Sequence, residues 1–483
     1  MSNKLGFRLQ TNIEKLAAFA ADTDYASLPA VVIEESKRVI LDSLGCALGG
    51  LSHPKGSIGV EFAKLQGPGL EGLQASVLGT RATLSGMGAA FANAELINAL
   101  DFDSILPPGH VSPYVIPGAL AAAEMLEADG KSFLTSIAIA HEMSNRMGKG
   151  LDYLRDIKDG KISPPPVHGY ASTIFGATAA VGRVKGYSSR CIADAMAIAA
   201  SMAPMNAQWS WSLHAPTATI KYAVAGALVQ AAMTGASLAE LGHTGDRKLL
   251  DDAEAGWPRM SGSLRWAPES VLAGLGTEWG FPREQVYKPY PHCRAQHAPI
   301  QVVSDLVRKN NIKPSEIESI KAWVEGFVMQ PLWLERNIEH VTQGQFVIAH
   351  GLAVAAHLLP PDKKWQSEDV VFSPSVLALM ERIKCEVHPD YERMLMENAS
   401  SRPTRIEIKA RGQTFIGERR WAKGTPSPDP ETYMTTPELV EKFMRNADGV
   451  LTERQAKEAA EMILDVESVK SIAQLMAQFR PAD

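Results

Sequence analysis

The feature that most constrains this chain is a long series of helical segments built from small residues. From about residue 10 to 270, apolar residues recur at spacings of three and four, and glycine or proline interrupts them. Small residues let helices approach closely, so the pattern predicts a compact helical bundle. Alternatively, such small side chains leave room for a ligand. The clearest helical segments are 28–48, 82–100, 118–127, 133–147 and 171–184.

The pattern changes near residues 274–283, where glycine, proline and charged residues interrupt it. Beyond this point, helical segments alternate with stretches whose β-branched or alternating residues predict strands. Residues 405–420 are typical of a hairpin that turns at Gly412. The strands are too few for a doubly wound sheet, so an α+β unit is predicted. The other predicted strands are 317–323 and 383–387, and the predicted helices are 297–309 and 345–359.

Helical character returns after the proline-rich loop 424–430 and continues from Pro437 onward. These last helices need an apolar partner, and the first helical part is the natural one. The predicted fold class is therefore mainly α, with a large all-helical domain built from both chain ends and a smaller inserted α+β lid domain. The predicted helical domain comprises 1–275 and 429–483, the lid comprises 276–428, and a cleft separates them.

Composition excludes several classes of protein. The 483 residues are 45% hydrophobic and 21% charged, which is ordinary for a globular chain. The net charge of −6 and the scattered basic residues argue against binding to nucleic acid or to a membrane surface. Without a secretory signal or a run of about 18 apolar residues, the expected location is the cytoplasm or an organelle matrix. Four dispersed cysteines predict reduced thiols.

Residues 95–118 contain the strongest candidate site. An apolar helix runs into two carboxylates, Asp101 and Asp103, and a Pro-Pro-Gly break then places His110 and Ser112 beside an alanine-rich helix. An acid, an imidazole and free helix amides can therefore converge, which suits proton chemistry on an anion. The alternative is structural: the carboxylates end one helix and Ser112 caps the next.

Two further segments carry groups suited to chemistry. Three prolines place His168 at the entrance of segment 171–184, although a partly buried loop histidine is the alternative. In the segment that opens the α+β unit, Lys288 and Arg294 suit an anion clamp. A metal site is the weaker alternative there, because the spacing matches no closed zinc pattern. The ligands of that alternative are His292, Cys293 and His297.

These segments, in this order, resemble the MmgE/PrpD family, whose members include 2-methylcitrate dehydratase, cis-aconitate decarboxylase and iminodisuccinate epimerase. The resemblance extends over nearly the whole chain. Residues 40–50 are similar to the family's first helix signature, and residues 100–110 to its acidic loop. His168 with the following glycine is similar to its second histidine site, and residues 288–293 to its lysine motif.

The resemblance implies a fold like the one predicted above, a homodimer, and chemistry on a small di- or tricarboxylate without a metal or another cofactor. Carried over position by position, it implies four active-site residues, which are Asp101, His110, His168 and Lys288. The side chains expected to contact the substrate are Ser104, Ser112, Tyr290, Arg294 and His350.

Three positions depart from the family pattern. Many members place a lysine in the stretch that corresponds to 208–217, and here none occurs before Lys221. Ser104 stands where the family has a second acidic residue, and His350 where relatives often carry a tyrosine. These departures predict that the far end of the ligand is held differently, so that the substrate differs from the familiar ones.

The resulting hypothesis is a lyase, 2-methylcitrate dehydratase-like or cis-aconitate decarboxylase-like, that stabilises a carbanion beside a carboxylate. His110 and His168 would move protons, Asp101 would orient one of them, and lid closure would bring Lys288 over the substrate. An epimerase of a dicarboxylate such as iminodisuccinate is one alternative. An inactive helical binding protein is the other, although such a protein has no physical need to keep these four residues together.

Overall fold

The computed structural model describes residues 9–152, 157–158, 161–162, 169–204 and 208–482. Helices dominate the described chain, so the mainly α prediction is confirmed. Within these ranges, no helix is both long enough and apolar enough to cross a membrane. The helices of the first part are α1 (Asn12–Asp22), α2 (Ala30–Gly50), α3 (Pro54–Leu65), α4 (Gly86–Asn98), α5 (Ser112–Met125), α6 (Gly130–Gly150), α7 (Thr173–Val184), α8 (Ser189–Met202), α9 (Gln208–Leu213), α10 (Ala225–Glu240), α11 (Trp257–Met260), α12 (Pro268–Leu272) and α13 (Phe281–Glu284). Its strands form three two-stranded ladders, β1 (Gln74–Ser76) with β2 (Thr83–Ser85), β3 (Ile105–Leu106) with β4 (Gly109–His110), and β5 (Ile157–Lys158) with β6 (Lys161–Ile162).

Small residues allow the central helices α4, α5, α7, α8 and α10 to pack closely. A Cβ atom on Gly176 of α7 would lie 2.5 Å from the carbonyl oxygen of Ala140 in α6. A Cβ atom on Gly235 of α10 would lie 2.6 Å from the Cβ of Ala199 in α8. Either side chain would force two helices apart, because protein interiors have no spare volume at such contacts. At these positions the small residues serve helix packing rather than ligand binding.

Two helices begin away from their predicted starts. The segment 82–100 opens with β2, and α4 begins at Gly86 because the hydroxyl of Ser85 accepts a hydrogen bond from the N–H of Gly88 at 3.1 Å. Helix α5 begins at Ser112, with Pro113 in its first turn, where proline removes no helical hydrogen bond. Because Ser112 lies inside the helix and caps nothing, its predicted capping role is wrong.

The α+β part contains a four-stranded mixed sheet with the strand order β10-β9-β7-β8. These strands are β7 (Ile317–Val324), β8 (Ile383–Val387), β9 (Thr404–Ala410) and β10 (Gln413–Arg419). β9 and β10 form the predicted hairpin, with Arg411 and Gly412 at φ values of +55° and +70° in its two-residue turn. β7 pairs parallel with β8 and antiparallel with β9. The helices of this part are α14 (His297–Lys309), α15 (Pro331–Leu334), α16 (Ile348–Ala356), α17 (Glu368–Val371), α18 (Pro374–Met380) and α19 (Tyr391–Glu397).

Three helices follow the sheet, α20 (Thr436–Ala447), α21 (Glu453–Leu464) and α22 (Ile472–Ala477). Thr435 and Glu438 form a capping box that starts α20. Helices α20 and α21 pack on α2, and α22 packs on α5. The helical part therefore draws on both ends of the chain. The domain boundaries at 275 and 428, and the action of the α+β part as a lid, stay predictions.

Lys442 connects α20 to α2 and to the loop that follows α4. Its Nζ donates to Oδ1 of Asp42 at 2.6 Å and to the carbonyl of Phe102 at 2.7 Å. The other carboxylate oxygen of Asp42 accepts the N–H of Ser104 at 3.0 Å. All four residues are buried. A late helix thus positions the loop that carries Asp101 and Asp103.

Replacing Lys442 with methionine leaves Asp42 as an uncompensated buried carboxyl group. We expect Lys442→Met to lower the free energy of unfolding by about 3 kcal/mol, because removing one partner of a buried pair is strongly destabilising. The double variant Asp42→Asn/Lys442→Met should lose less, since no charge remains. Urea unfolding followed by circular dichroism measures both. Arg454→Met, on the exposed face of α21, is the control; losses as large in this control as in Lys442→Met would contradict the expectation.

Candidate active site

The loop between α4 and α5 brings the acidic and imidazole groups together. Asp101 adopts a left-handed backbone conformation, with φ at +52°, which aspartate tolerates better than most residues. The chain therefore turns sharply after α4, and the β3–β4 ladder carries it on to His110. A conformation of this kind costs roughly 1 kcal/mol or more and persists only where surrounding contacts impose it.

Five consecutive carbonyl groups of this loop receive those contacts. Each carbonyl from residue 98 to residue 102 accepts a hydrogen bond from a buried lysine or glutamine side chain. The donors lie far apart in sequence, so both the helical part and the α+β part hold the loop. The pairs are Lys221 with Asn98 at 2.6 Å, Gln345 with Ala99 at 2.8 Å, Gln366 with Leu100 at 2.7 Å, Lys288 with Asp101 at 2.8 Å and Lys442 with Phe102 at 2.7 Å.

The carboxylate of Asp101 lies between two ammonium groups. Lys288 Nζ is 2.7 Å from Oδ2, and Lys221 Nζ is 3.0 Å from Oδ1. The hydroxyl of Tyr222 also donates to Oδ1, at 3.2 Å. Burial alone would raise the pKa of Asp101, but Lys221 and Lys288 outweigh it and hold that pKa well below its ordinary value. Asp101 is therefore a carboxylate across the physiological pH range.

His110 is oriented by a second carboxylate. Its Nδ1–H donates to Oδ2 of Asp103 at 2.6 Å, which leaves Nε2 at 3.6 Å from Oδ1 of Asp101. Burial lowers the pKa of His110, although Asp103 opposes the shift. The ring is thus neutral near pH 7, and Nε2 carries its lone pair. A histidine held by a carboxylate in this way can accept a proton and return it.

A cavity of about 70 Å³ opens onto these groups. Asp101, His110 and Arg294 supply its polar wall, beside the rings of Tyr170 and Tyr222. A neighbouring cavity of about 500 Å³ shares Tyr170, Trp211 and Tyr222 with it. A ligand that lies across this shared wall would touch both spaces. The other aromatic side chains of the smaller cavity are Trp211, Phe327, Trp333 and Phe346.

Lys221 lies in the site although its sequence context did not assign it there. It stands four residues beyond the stretch in which the family lysine was expected, yet its buried ammonium contacts Asp101, and the residue borders the larger cavity. Lys55, which is paired with Glu95 at 2.6 Å, donates to the carbonyls of Ile220 and Ala223 and so fixes the segment on both sides of Lys221. The absence of a lysine from 208–217 therefore does not leave the site without a second lysine beside Asp101.

Burial gives Lys221 an unusual proton affinity. It lowers the pKa of Lys221 to about 8, although Asp101 opposes the shift. The ammonium form thus predominates at neutral pH, and the neutral amine becomes accessible in mild alkali.

The other expected site residues divide into two groups. Asp101, His110 and Arg294 line the smaller cavity, whereas Lys288 is fully buried behind Asp101 and lines neither cavity. The expected position of Lys288 over the substrate is therefore not what the structure has. His168 lies outside the described residues.

Four of the expected substrate contacts point away from the cavities. The hydroxyls of Ser104 and Ser112 are 3.2 Å apart, and Ser112 also contacts Nε2 of the buried His141 at 3.0 Å. Both hydroxyls thus belong to a buried hydrogen-bonded chain behind the loop. The other two residues, Tyr290 and His350, also lie off the cavity walls.

Tyr290 and His350 are held by neighbours outside the site. Tyr290 stacks on Trp365, with ring centroids 5.6 Å apart. His350 Nε2 contacts the carbonyl of Val371 at 3.1 Å, and burial lowers the pKa of His350 to about 4. Phe346, four residues before His350, lines the smaller cavity in place of His350. Direct substrate contact by Tyr290 and His350 is therefore not supported by their positions.

The alternative metal ligands of the lysine segment do not converge on one point. His297 Nε2 lies 2.9 Å from the carbonyl of His292, and burial raises the pKa of the Cys293 thiol to about 11. Among the described residues, no three or more histidine, cysteine or acidic side chains are arranged to hold a metal ion. These residues serve the packing of the segment that supplies Lys288 and Arg294.

The architecture and the site define a class: a helical protein with a small mixed sheet and a buried cluster of acid, imidazole and lysine beside an aromatic cavity. The chain belongs to the MmgE/PrpD family. Profiles of the family's N-terminal and C-terminal domains match residues 14–268 and 290–468.

Curated relatives align over most of the chain. A cis-aconitate decarboxylase from Aspergillus terreus is 23% identical over an alignment of 496 positions, which covers 96% of this chain and 94% of that protein. The cis-aconitate decarboxylase from Homo sapiens is 25% identical over 467 residues, with 92% and 89% covered. That from Mus musculus is 24% identical over 441 residues, with 87% and 83% covered.

Replacing Asp101 with asparagine leaves Lys221 and Lys288 close together without their shared counter-charge. We expect Asp101→Asn to lower the free energy of unfolding by about 3 kcal/mol at neutral pH, because a buried charge is left uncompensated. The double variant Asp101→Asn/Lys288→Met should recover part of this loss, since one of the two cations is gone. Urea unfolding provides the measurement. A double variant less stable than Asp101→Asn would contradict the electrostatic account of the cluster.

Proposed function

We propose that the protein is a lyase that releases carbon dioxide from an unsaturated tricarboxylate of the cis-aconitate type. The observation that carries the proposal is the cluster of Asp101, His110 and Lys288 beside an aromatic-walled cavity that Arg294 also lines. The named activity of the relatives favours decarboxylation over the other reactions of the family. Assembly as a homodimer stays a proposal that rests on the family resemblance.

Two cations are suited to bind the carboxylates of this substrate. Arg294 lines the smaller cavity, and Lys221, whose ammonium is buried beside Asp101, borders the larger one. A guanidinium group binds a carboxylate through two parallel hydrogen bonds, and an ammonium group acts as a point charge. A tricarboxylate that lies across Tyr170 and Tyr222 would reach both cations. Its third carboxylate would then face the aromatic wall.

The proposed reaction breaks one C–C bond and adds one proton. The carboxylate leaves as carbon dioxide from the carbon next to the double bond, and the bonding electron pair forms a new double bond. The former double-bond pair moves to the far carbon, which lies beside a retained carboxylate and takes up the proton. The aromatic wall of Trp211, Trp333 and Phe346 removes water from the leaving carboxylate. Fixed cations stabilise the charge that develops beside the retained one.

His110 is the proposed proton donor to carbon. A bound polyanion favours the charged form of the imidazole, and Asp103 stabilises that form through Nδ1. The Nε2–H then lies at the wall of the cavity, where it can be transferred. Lys288 contributes as a positioning residue through Asp101. His168 remains a proposed second proton-handling group on the basis of the family resemblance.

Proton NMR in deuterated buffer containing EDTA tests the proposed activity with cis-aconitate, citrate, 2-methylcitrate and iminodisuccinate. We expect the cis-aconitate signals to give way to those of a product with one carbon fewer and one deuteron from the solvent. His110→Gln should lower this rate by about 10²-fold, because general acid catalysis is lost. His243→Gln, at an exposed position after α10, is the matched control and should behave as the wild type.

Each other outcome of this experiment has a distinct meaning. Equal rates in His110→Gln and the wild type would overturn the role of His110. Loss of water from 2-methylcitrate without loss of carbon would replace the decarboxylase by a dehydratase. Deuterium uptake by iminodisuccinate without net loss would indicate an epimerase. No conversion of any of these acids would overturn the proposed activity.

The rate should fall as pH rises through about 8, the pKa to which burial lowers Lys221. Below this pKa, Lys221 is an ammonium group that can bind a carboxylate; above it, the charge is lost. Lys221→Arg keeps a cation at all accessible pH values and should move the fall to higher pH, even if its maximal rate is reduced. The pH dependence of kcat/KM measures this. Identical profiles in the wild type and Lys221→Arg would contradict the assignment.

A further inference from the structure

A third cavity, of about 420 Å³, lies where the helical part meets the α+β part, and we call it the outer cavity. The helical part contributes Lys149, Arg265 and Arg283, all of which are exposed, so the cavity is open to solvent. Residues 399–400 line its opposite side. The mechanism proposed above does not use these residues.

The outer cavity shares a wall with the proposed active site. Arg294 and Ile105 line both the outer cavity and the 70 Å³ cavity that contains Asp101 and His110. The guanidinium of Arg294 is therefore a cation common to the two spaces. These two shared residues lie between a ligand in the outer cavity and the cavity that His110 lines.

Positive charge predominates among the described residues of the outer cavity. Four of them are cationic, Lys149, Arg265, Arg283 and Arg294, and one is anionic, Glu284. Glu284 is paired with Lys149 and also accepts a hydrogen bond from Asn145. Carbonyl groups hold the guanidinium of Arg265, whose Nε donates to Leu151 at 3.0 Å. Lys149 and Arg265 are thus held by contacts with neighbouring protein groups.

The chain as a whole has the opposite charge. Its net charge of −6 opposes the approach of a polyanion at long range. A local concentration of cations in a cleft reverses this effect, because low-dielectric walls focus the field and raise the local concentration of the anion. The only anionic ligand for which the proposed chemistry has a use is the polycarboxylate substrate.

We infer that the outer cavity is an anion-binding vestibule, in which the polycarboxylate is held before Arg294 passes it to the active site. This inference rests on the proposed function for the identity of the anion. Each carboxylate of the ligand interacts with the cations, so affinity at this site increases with ligand charge. Screening by salt weakens it, because three of the cations are exposed to solvent.

Binding of tricarballylate tests the vestibule without any turnover. This saturated tricarboxylate has neither a hydroxyl group nor a double bond, so the protein can neither dehydrate nor decarboxylate it by the proposed route. Isothermal titration calorimetry at low ionic strength measures its Kd in the wild type and in Arg283→Gln. We expect Arg283→Gln to raise the Kd about threefold to tenfold, and the difference to shrink as salt is added.

A variant that removes a negative charge instead of a positive one distinguishes an electrostatic effect on the Kd from general structural damage. Glu284→Gln removes the one carboxylate that the described residues place in the outer cavity and should lower the Kd, whereas general disruption would raise it. Arg190→Gln makes the same change in net charge as Arg283→Gln at an exposed position on α8 and should bind as the wild type does. An increase in Kd in Glu284→Gln would count against the vestibule.

The remaining outcomes decide between the vestibule and the proposed activity. The vestibule would be overturned by equal Kd values in Arg283→Gln and the wild type, or by no binding to the wild type. The proposed activity would still stand in that case if the protein turns over cis-aconitate. Charge-dependent binding of tricarballylate without turnover of any acid tested by NMR would overturn the activity and leave the anion site in place.

Discussion

The hydrogen bonds to five consecutive carbonyl groups, from residue 98 to residue 102, are the interactions on which the rest of the site depends. Asn98 ends α4 and the other four carbonyls lie in the loop beyond it, so these buried groups must find donors outside the helix. Here the donors are three lysines and two glutamines. The lysines also suit the negative end of the α4 dipole. The groups that satisfy the backbone therefore create the positive potential that keeps Asp101 ionised.

The same bonds join the two parts of the molecule. Lys221 and Lys442 come from the helical part, whereas Lys288, Gln345 and Gln366 come from the segment that contains the sheet. A movement that separated the two parts would leave three of the five carbonyls without their donors. Any closure or opening of the two parts around a ligand would thus have to keep the hydrogen bonds to this loop.

Local sequence patterns were sufficient for much of the fold. Helix α14 and strand β8 have the predicted bounds, and the β9–β10 hairpin turns at Gly412 as predicted. Asp101 and His110 could be selected because a helix end, a proline break and a helix start lie within a few residues of them. By contrast, Ser112 was expected to cap a helix or bind substrate and instead contacts the buried His141. No local signal distinguishes these uses of a serine.

By itself, the sequence determined the helical elements, the change to an α+β segment and the acidic and cationic groups at the chain breaks, because spacing and backbone preference act within a few residues. Only the tertiary structure placed Lys221 against Asp101, Lys288 behind it rather than over the cavity, and Tyr170 and Tyr222 in the cavity wall. Those placements depend on helix packing over distances of more than a hundred residues. The pKa of a buried group is set by the neighbours that such packing supplies, so it too was decided only in the folded chain.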